Sequence, residues 1–159
     1  MGLMRTHARA LPGLRAYDFK PFYRGSKVSV IGAISSTKVL AVMTIDGSMD
    51  AAAFKVYVAN VLVPQLWTGA VVVMDNLAAH KVEAIEPLIK AVGASALYMS
   101  PYSPEFNPIE HWWSQLKAFL RQFSPTTPKM VDGLIKIAMN LMDPMHLRNW
   151  FAHCCYCPS

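Results

Sequence analysis

No apolar run in this 159-residue chain approaches the roughly 18 residues that a membrane-spanning helix needs. Its first residues also lack the apolar centre of a secretory signal, so the expected compartment is the cytoplasm. Cysteine is scarce, with three residues confined to His153-Cys154-Cys155-Tyr156-Cys157. An odd count in one cluster argues against a disulfide framework. A structural zinc would want a second separated ligand pair, and His146 is the only other nearby donor, so thiols at the surface are the default reading. Acids are few as well, ten against fifteen Lys and Arg, for a net charge of +5. There is no internal repeat and no low-complexity tract. What the chain has in quantity is apolar side chain: 53% hydrophobic residues and a mean hydropathy of +0.26. That composition supports one ordinary folded domain with a real core and argues against disorder.

The charge is unevenly placed. Residues 1–27 hold Arg5, Arg9, Arg15, Lys20, Arg24 and Lys27 against Asp18 alone, while the rest carries nine basic and nine acidic residues. A concentrated basic arm suits a polyanionic partner, because its cations neutralise phosphates and release counterions. A solvated arm with no partner is the other reading.

Along the chain, residues 1–26 carry only Arg, Gly and Pro punctuation and read as loop. Val28–Ser35 and Val39–Ile45 are β-rich runs around Ser36-Thr37-Lys38, which predicts an antiparallel hairpin. Ser48 or Asp50 is placed to cap a helix over 51–63, ended or kinked by Pro64, with Phe54, Val58, Val61 and Leu62 on one face. The run Ala70–Met74 lacks alternation and reads as a strand buried on both faces. A helix over 81–92 with Gly93 as terminator, and a short strand over 96–99, complete a parallel crossover and predict a mixed sheet. Helices over 108–123 and 130–142 follow, and the end of the chain reads as an aromatic tail with Trp150-Phe151. The organisation expected is a basic arm (1–27), a core (28–123) and a C-terminal helix with tail (124–159).

Two acids stand out. Asp75 ends a buried strand, where carboxyl ends of parallel strands commonly accept ligands; capping the following Asp-Asn turn is the competing role. Glu110 sits third in a helix with Asn107 as N-cap and Pro108 first, the position of a capping-box acid. It also opens a face that continues through Ser114, Lys117 and Arg121, opposite the apolar stripe Ile109, Trp112, Leu116 and Leu120. Asn76 and His80, just beyond Asp75, could orient ligands or contact phosphate. Two acids on rigid elements could share a divalent metal.

The segment Val71 to His80 (VVVMDNLAAH), the turn Ser100-Pro101-Tyr102-Ser103-Pro104, and Asn107-Pro108-Ile109-Glu110 with Trp113 and Leu116-Lys117 resemble the catalytic core of the DDE transposases. They are most similar to the bacterial insertion-sequence branch related to the mariner elements, and the 34 residues between Asp75 and Glu110 fit that branch. The resemblance, running from about Arg9 to His153, implies a ribonuclease H-like α/β fold, with cleavage of DNA at transposon ends and joining to target DNA. It makes Asp75 the second and Glu110 the third acid of a triad holding two Mg2+ or Mn2+ ions. Arg5, Arg9, Arg15, Arg24, Lys117 and Arg121 would contact DNA, with Asn76, His80 and Asn107 in support. The implied setting is bacterial and nucleoid-associated.

One part of the pattern is missing. The first acid should stand on a central strand ahead of the basic arm, and Asp18, Asp46 and Asp50 are poor substitutes. The resemblance therefore implies an incomplete metal clamp and impaired activity for this chain, with a homodimer or a further N-terminal segment as the expected complement. A DNA-binding or oligomerising remnant without catalysis is the alternative.

Overall fold

The computed structural model describes residues 11–13, 15, 28–76, 83–101 and 103–156. Two strands, β1 (Val28–Ile34) and β2 (Val39–Asp46), form the expected antiparallel hairpin, with Val28 opposite Asp46 and Ala33 opposite Ala41. Alternation along these strands sends side chains to two faces, and both faces are covered. Ile31, Ala41 and Met43 pack with one layer, while Val28, Val30, Ile34, Val39 and Val42 pack with the other.

The first layer begins with α1 (Ala51–Tyr57), capped by Asp50, whose Oδ1 accepts from the Ala53 amide at 2.7 Å. The continuous helix expected to residue 63 instead widens into a π-turn over Val58–Leu62 and closes as a 3-10 turn over Val63–Gln65. Pro64 explains the change. Lacking an N–H, it cannot continue the α-helical ladder, and the Val63 amide reaches back five residues to the Val58 carbonyl. Phe54, Tyr57, Val58 and Leu62 are all buried against the hairpin. Burial pushes the Tyr57 hydroxyl well above the ordinary tyrosine range, and it donates to the Ala41 carbonyl at 3.4 Å.

The same layer holds a parallel pair, β3 (Val71–Met74) and β4 (Ser95–Tyr98), joined through α2 (Ile85–Lys90). The predicted helix over 81–92 is shorter than expected, and Lys81 and Val82 lie outside the described residues. Gly93 ends that connection as anticipated, at φ +74° with its amide on the Lys90 carbonyl. β3 is not buried on both faces. Ala70, Val72 and Met74 join the core, whereas Val71 is 58% exposed, because only one side of this short pair is covered. Among the described residues the hairpin and the parallel pair are two separate ladders, one antiparallel and one parallel.

The second layer is α3 (Pro108–Phe123), α4 (Pro128–Asn140) and α5 (Pro144–His153). Trp112, Leu116 and Leu120 of α3 meet Val131 and Ile135 of α4 over the hairpin, each such burial contributing about 1.5–3 kcal/mol. Gly32 of β1 lies directly beneath: a Cβ there would stand 2.8 Å from Trp112 and 3.0 Å from Trp113. The end of the chain is not a tail. It is α5, capped by Asp143, whose Oδ1 accepts from the Met145 amide at 2.8 Å. Cys154, expected at the surface with its neighbours, is buried at the end of α5, while Cys155 is exposed. No helix among the described residues is long and apolar enough to cross a membrane.

Candidate functional site

Asp75 stands one residue past the end of β3, half-buried, where the ladder continues beyond both strands through the Met99 amide on the Met74 carbonyl at 2.8 Å. From the same edge the chain leaves β4, makes a 3-10 turn over Pro104–Phe106, and enters α3, whose first turn carries Glu110. Asp75 thus stands at the carboxyl end of the parallel pair, the side at which open α/β sheets take ligands, and Glu110 lies twelve residues beyond β4 in the first turn of α3.

The capping box expected at the start of α3 does not form. Asn107 is the N-cap residue, but its side chain makes no capping bond. Its amide is taken by the Pro104 carbonyl at 3.0 Å, and the Glu110 amide donates to the Asn107 carbonyl at 3.1 Å. The 3-10 turn therefore satisfies in backbone what a capping-box glutamate would have satisfied. The Glu110 side chain is exposed. Asn76 follows Asp75 half-buried, and its Oδ1 is a buried acceptor with no hydrogen-bond partner.

Glu110, Ser114, Lys117 and Arg121 fall within the single helix α3, at spacings that keep them on one face. At 1.5 Å per residue, Lys117 and Arg121 stand roughly 10 and 16 Å from Glu110 along the axis. Lys117 and Arg121 are half-buried, and the Arg121 Nε is a buried donor without a partner. Arg15 is exposed; Arg5, Arg9, Arg24 and His80 lie outside the described residues. Of the other early acids, Asp50 is occupied as the cap of α1, Asp46 ends β2, and Asp18 lies outside the described residues. No group of three or more His, Cys, Asp or Glu among the described residues is arranged to hold a metal ion.

The sequence reading overlooked His111. Its ring stacks on Trp150 of α5 at 6.1 Å and 18°, and meets His153 edge-on at 5.3 Å. These contacts fasten α5 to the first turn of α3, next to Glu110. With α5 unrecognised, no periodic signal linked the three rings.

An antiparallel hairpin and a parallel pair with helices packed over the hairpin is the arrangement of ribonuclease H-like domains, and the solved structures that resemble the chain share that fold. The Mos1 strand transfer complex matches with a TM-score of 0.77 at 17% identity, over 94% of this chain and 46% of that one. The Mos1 transposase paired-end complex with left transposon end matches at 0.76 and 17%, over 94% and 47%. The Mos1 mariner paired-end complex with Mn matches at 0.76 and 16%, over the same shares. The chain spans about half the length of these proteins. Residues 2–130 match the model of the DDE superfamily endonucleases, and the chain belongs to that family. No curated protein matches it closely enough to count.

Proposed function

We propose that this chain serves as a DDE transposase catalytic region of the insertion-sequence type, with Asp75 and Glu110 as metal-holding acids. The observation that carries the reading is the start of α3, where backbone bonds do the capping and leave the Glu110 side chain for other work. Carboxylate oxygens are hard ligands suited to Mg2+ or Mn2+, and the unpartnered Asn76 oxygen beside Asp75 is a third hard donor in the neighbourhood. Such ions, when bound, stabilise charge on a phosphodiester under attack. The chain's own part is to hold them with Asp75 and Glu110 and to neutralise the DNA backbone with Lys117 and Arg121, aided by Arg5, Arg9, Arg15 and Arg24. Transposon-end and target DNA are the intended partners.

The test pairs Mn2+ titration by calorimetry with nicking of transposon-end DNA. Mn2+ binding that both Asp75→Ala and Glu110→Gln abolish, with any nicking lost alongside it, is expected. Binding indifferent to both substitutions overturns the site.

A second reading, a DNA-binding remnant without catalysis, is favoured by the lack of a three-ligand metal cluster among the described residues. DNA affinity that falls steeply with salt, persists in chelator and ignores Glu110→Gln would support it.

A further inference from the structure

His153 opens the cysteine cluster in sequence, yet the imidazole it meets in space belongs to another helix. Its ring and that of His111, in the first turn of α3, lie 5.3 Å apart centre to centre, with planes crossing at 78°. A tetrahedral divalent ion holds imidazole nitrogens at about 2.0–2.1 Å, which sets the centres of two coordinating rings roughly 5 Å apart. The pair already has that spacing. The rings also lie across each other rather than stacked, and because the imidazole torsion is broad, a small turn brings a nitrogen of each toward a shared ion. His111 is backed by Trp150, whose ring stacks on it at 6.1 Å and 18°, so one half of the pair is held in place. His153 is exposed, which lets an ion and its waters enter from solvent. It also stands in the last turn of α5, where the carbonyl end of the helix favours a cation.

We propose that His111 and His153 form a site for a divalent late transition metal, Zn2+ or Ni2+ in class, which clasps the end of α5 to the start of α3. Imidazole suits these ions, whereas Mg2+ and Mn2+ prefer carboxylate oxygen, so the site is chemically distinct from the one proposed at Asp75 and Glu110. No third His, Cys, Asp or Glu among the described residues joins the pair, and Cys154, next in the chain, is buried. Water therefore completes the shell of the ion. Two protein ligands in place of the usual three or four make a weak site, with dissociation at about 10–100 µM.

Calorimetric titration of the full chain carrying Asp75→Ala with Ni2+ tests the idea, since that substitution removes an acid proposed to hold metal elsewhere. Binding in the stated range is expected, weakened at least about tenfold by adding His153→Ala or His111→Gln. In the parent chain about 1 mM Ni2+ should raise the melting temperature by about 3–10 °C, and His153→Ala should abolish the rise. His153 is exposed, so its replacement leaves a folded chain in which the lost ion is read even if His111→Gln unsettles the ring stack. His146, which also leans on Trp150 at 6.1 Å, is the control, and His146→Ala should keep the binding. No Ni2+ binding below about 1 mM overturns the proposal. Affinity that both histidine substitutions leave intact overturns it as well, as does binding lost in His146→Ala and kept in His153→Ala.

Discussion

Gly32 shows how one atom is rationed in this core. Trp112 is fully buried and its ring, with that of Trp113, fills the space a side chain would need above β1. Gly32→Ala should destabilise the protein by about 1–3 kcal/mol, the usual cost of overpacking, read as a lowered midpoint in urea unfolding. Nothing in the string Ile31-Gly32-Ala33 announces this, because the demand comes from residues about eighty positions away. Asp75 and Glu110 were legible for the opposite reason: each sits at a local boundary, a strand end and a helix start, that sequence alone can mark. The capping box was a sound local expectation for Glu110, and it failed because Pro104–Phe106 fold into a 3-10 turn whose carbonyl reaches the Asn107 amide first.

At the scale of elements, the three long helices begin well, and two of them, α3 and α5, end under strain. α3, α4 and α5 all start with proline after Asn107, Thr127 or Asp143, an arrangement that supplies a fixed φ where no amide bond is needed. The Asp143-Pro144 pair was the available signal for α5, and the aromatic composition of the tail obscured it. Those two ends use residues that dislike their backbone: Ser124 closes α3 at φ +45°, and Cys155 follows α5 at φ +65°. Tyr156 donates back to the Phe151 carbonyl at 2.9 Å, so the turn at Cys155 is held by a six-residue closure that favours glycine. Ser124→Gly and Cys155→Gly should each stabilise the fold by about 0.5–1 kcal/mol, measured as a raised melting temperature. The hairpin was readable from two β-rich runs around a turn, β3 and β4 from short apolar runs, and α3 from its apolar period and its Asn107-Pro108 start. The π-turn before Pro64 was not, since periodicity does not separate a five-residue reach from a four-residue one.

At the scale of the molecule, family and fold agree, while the activity proposed for the chain depends on two acids and a basic face. What sequence could not convey was how the strands would group, because backbone pairing depends on which edges meet rather than on any one segment's composition. The hairpin and the parallel pair share a side-chain core yet hold no common ladder among the described residues. Each can therefore let solvent in on its own schedule. Native-state deuterium uptake should separate two classes of amide. Those of β3 and β4, four residues long and covered on one side, should exchange at least about tenfold faster than those of β1 and β2, clamped between helices on both sides. The acid at the end of β3 then rides on the part of the fold that opens most readily, and the grip on a cation proposed for it would be set by how often that short ladder is closed.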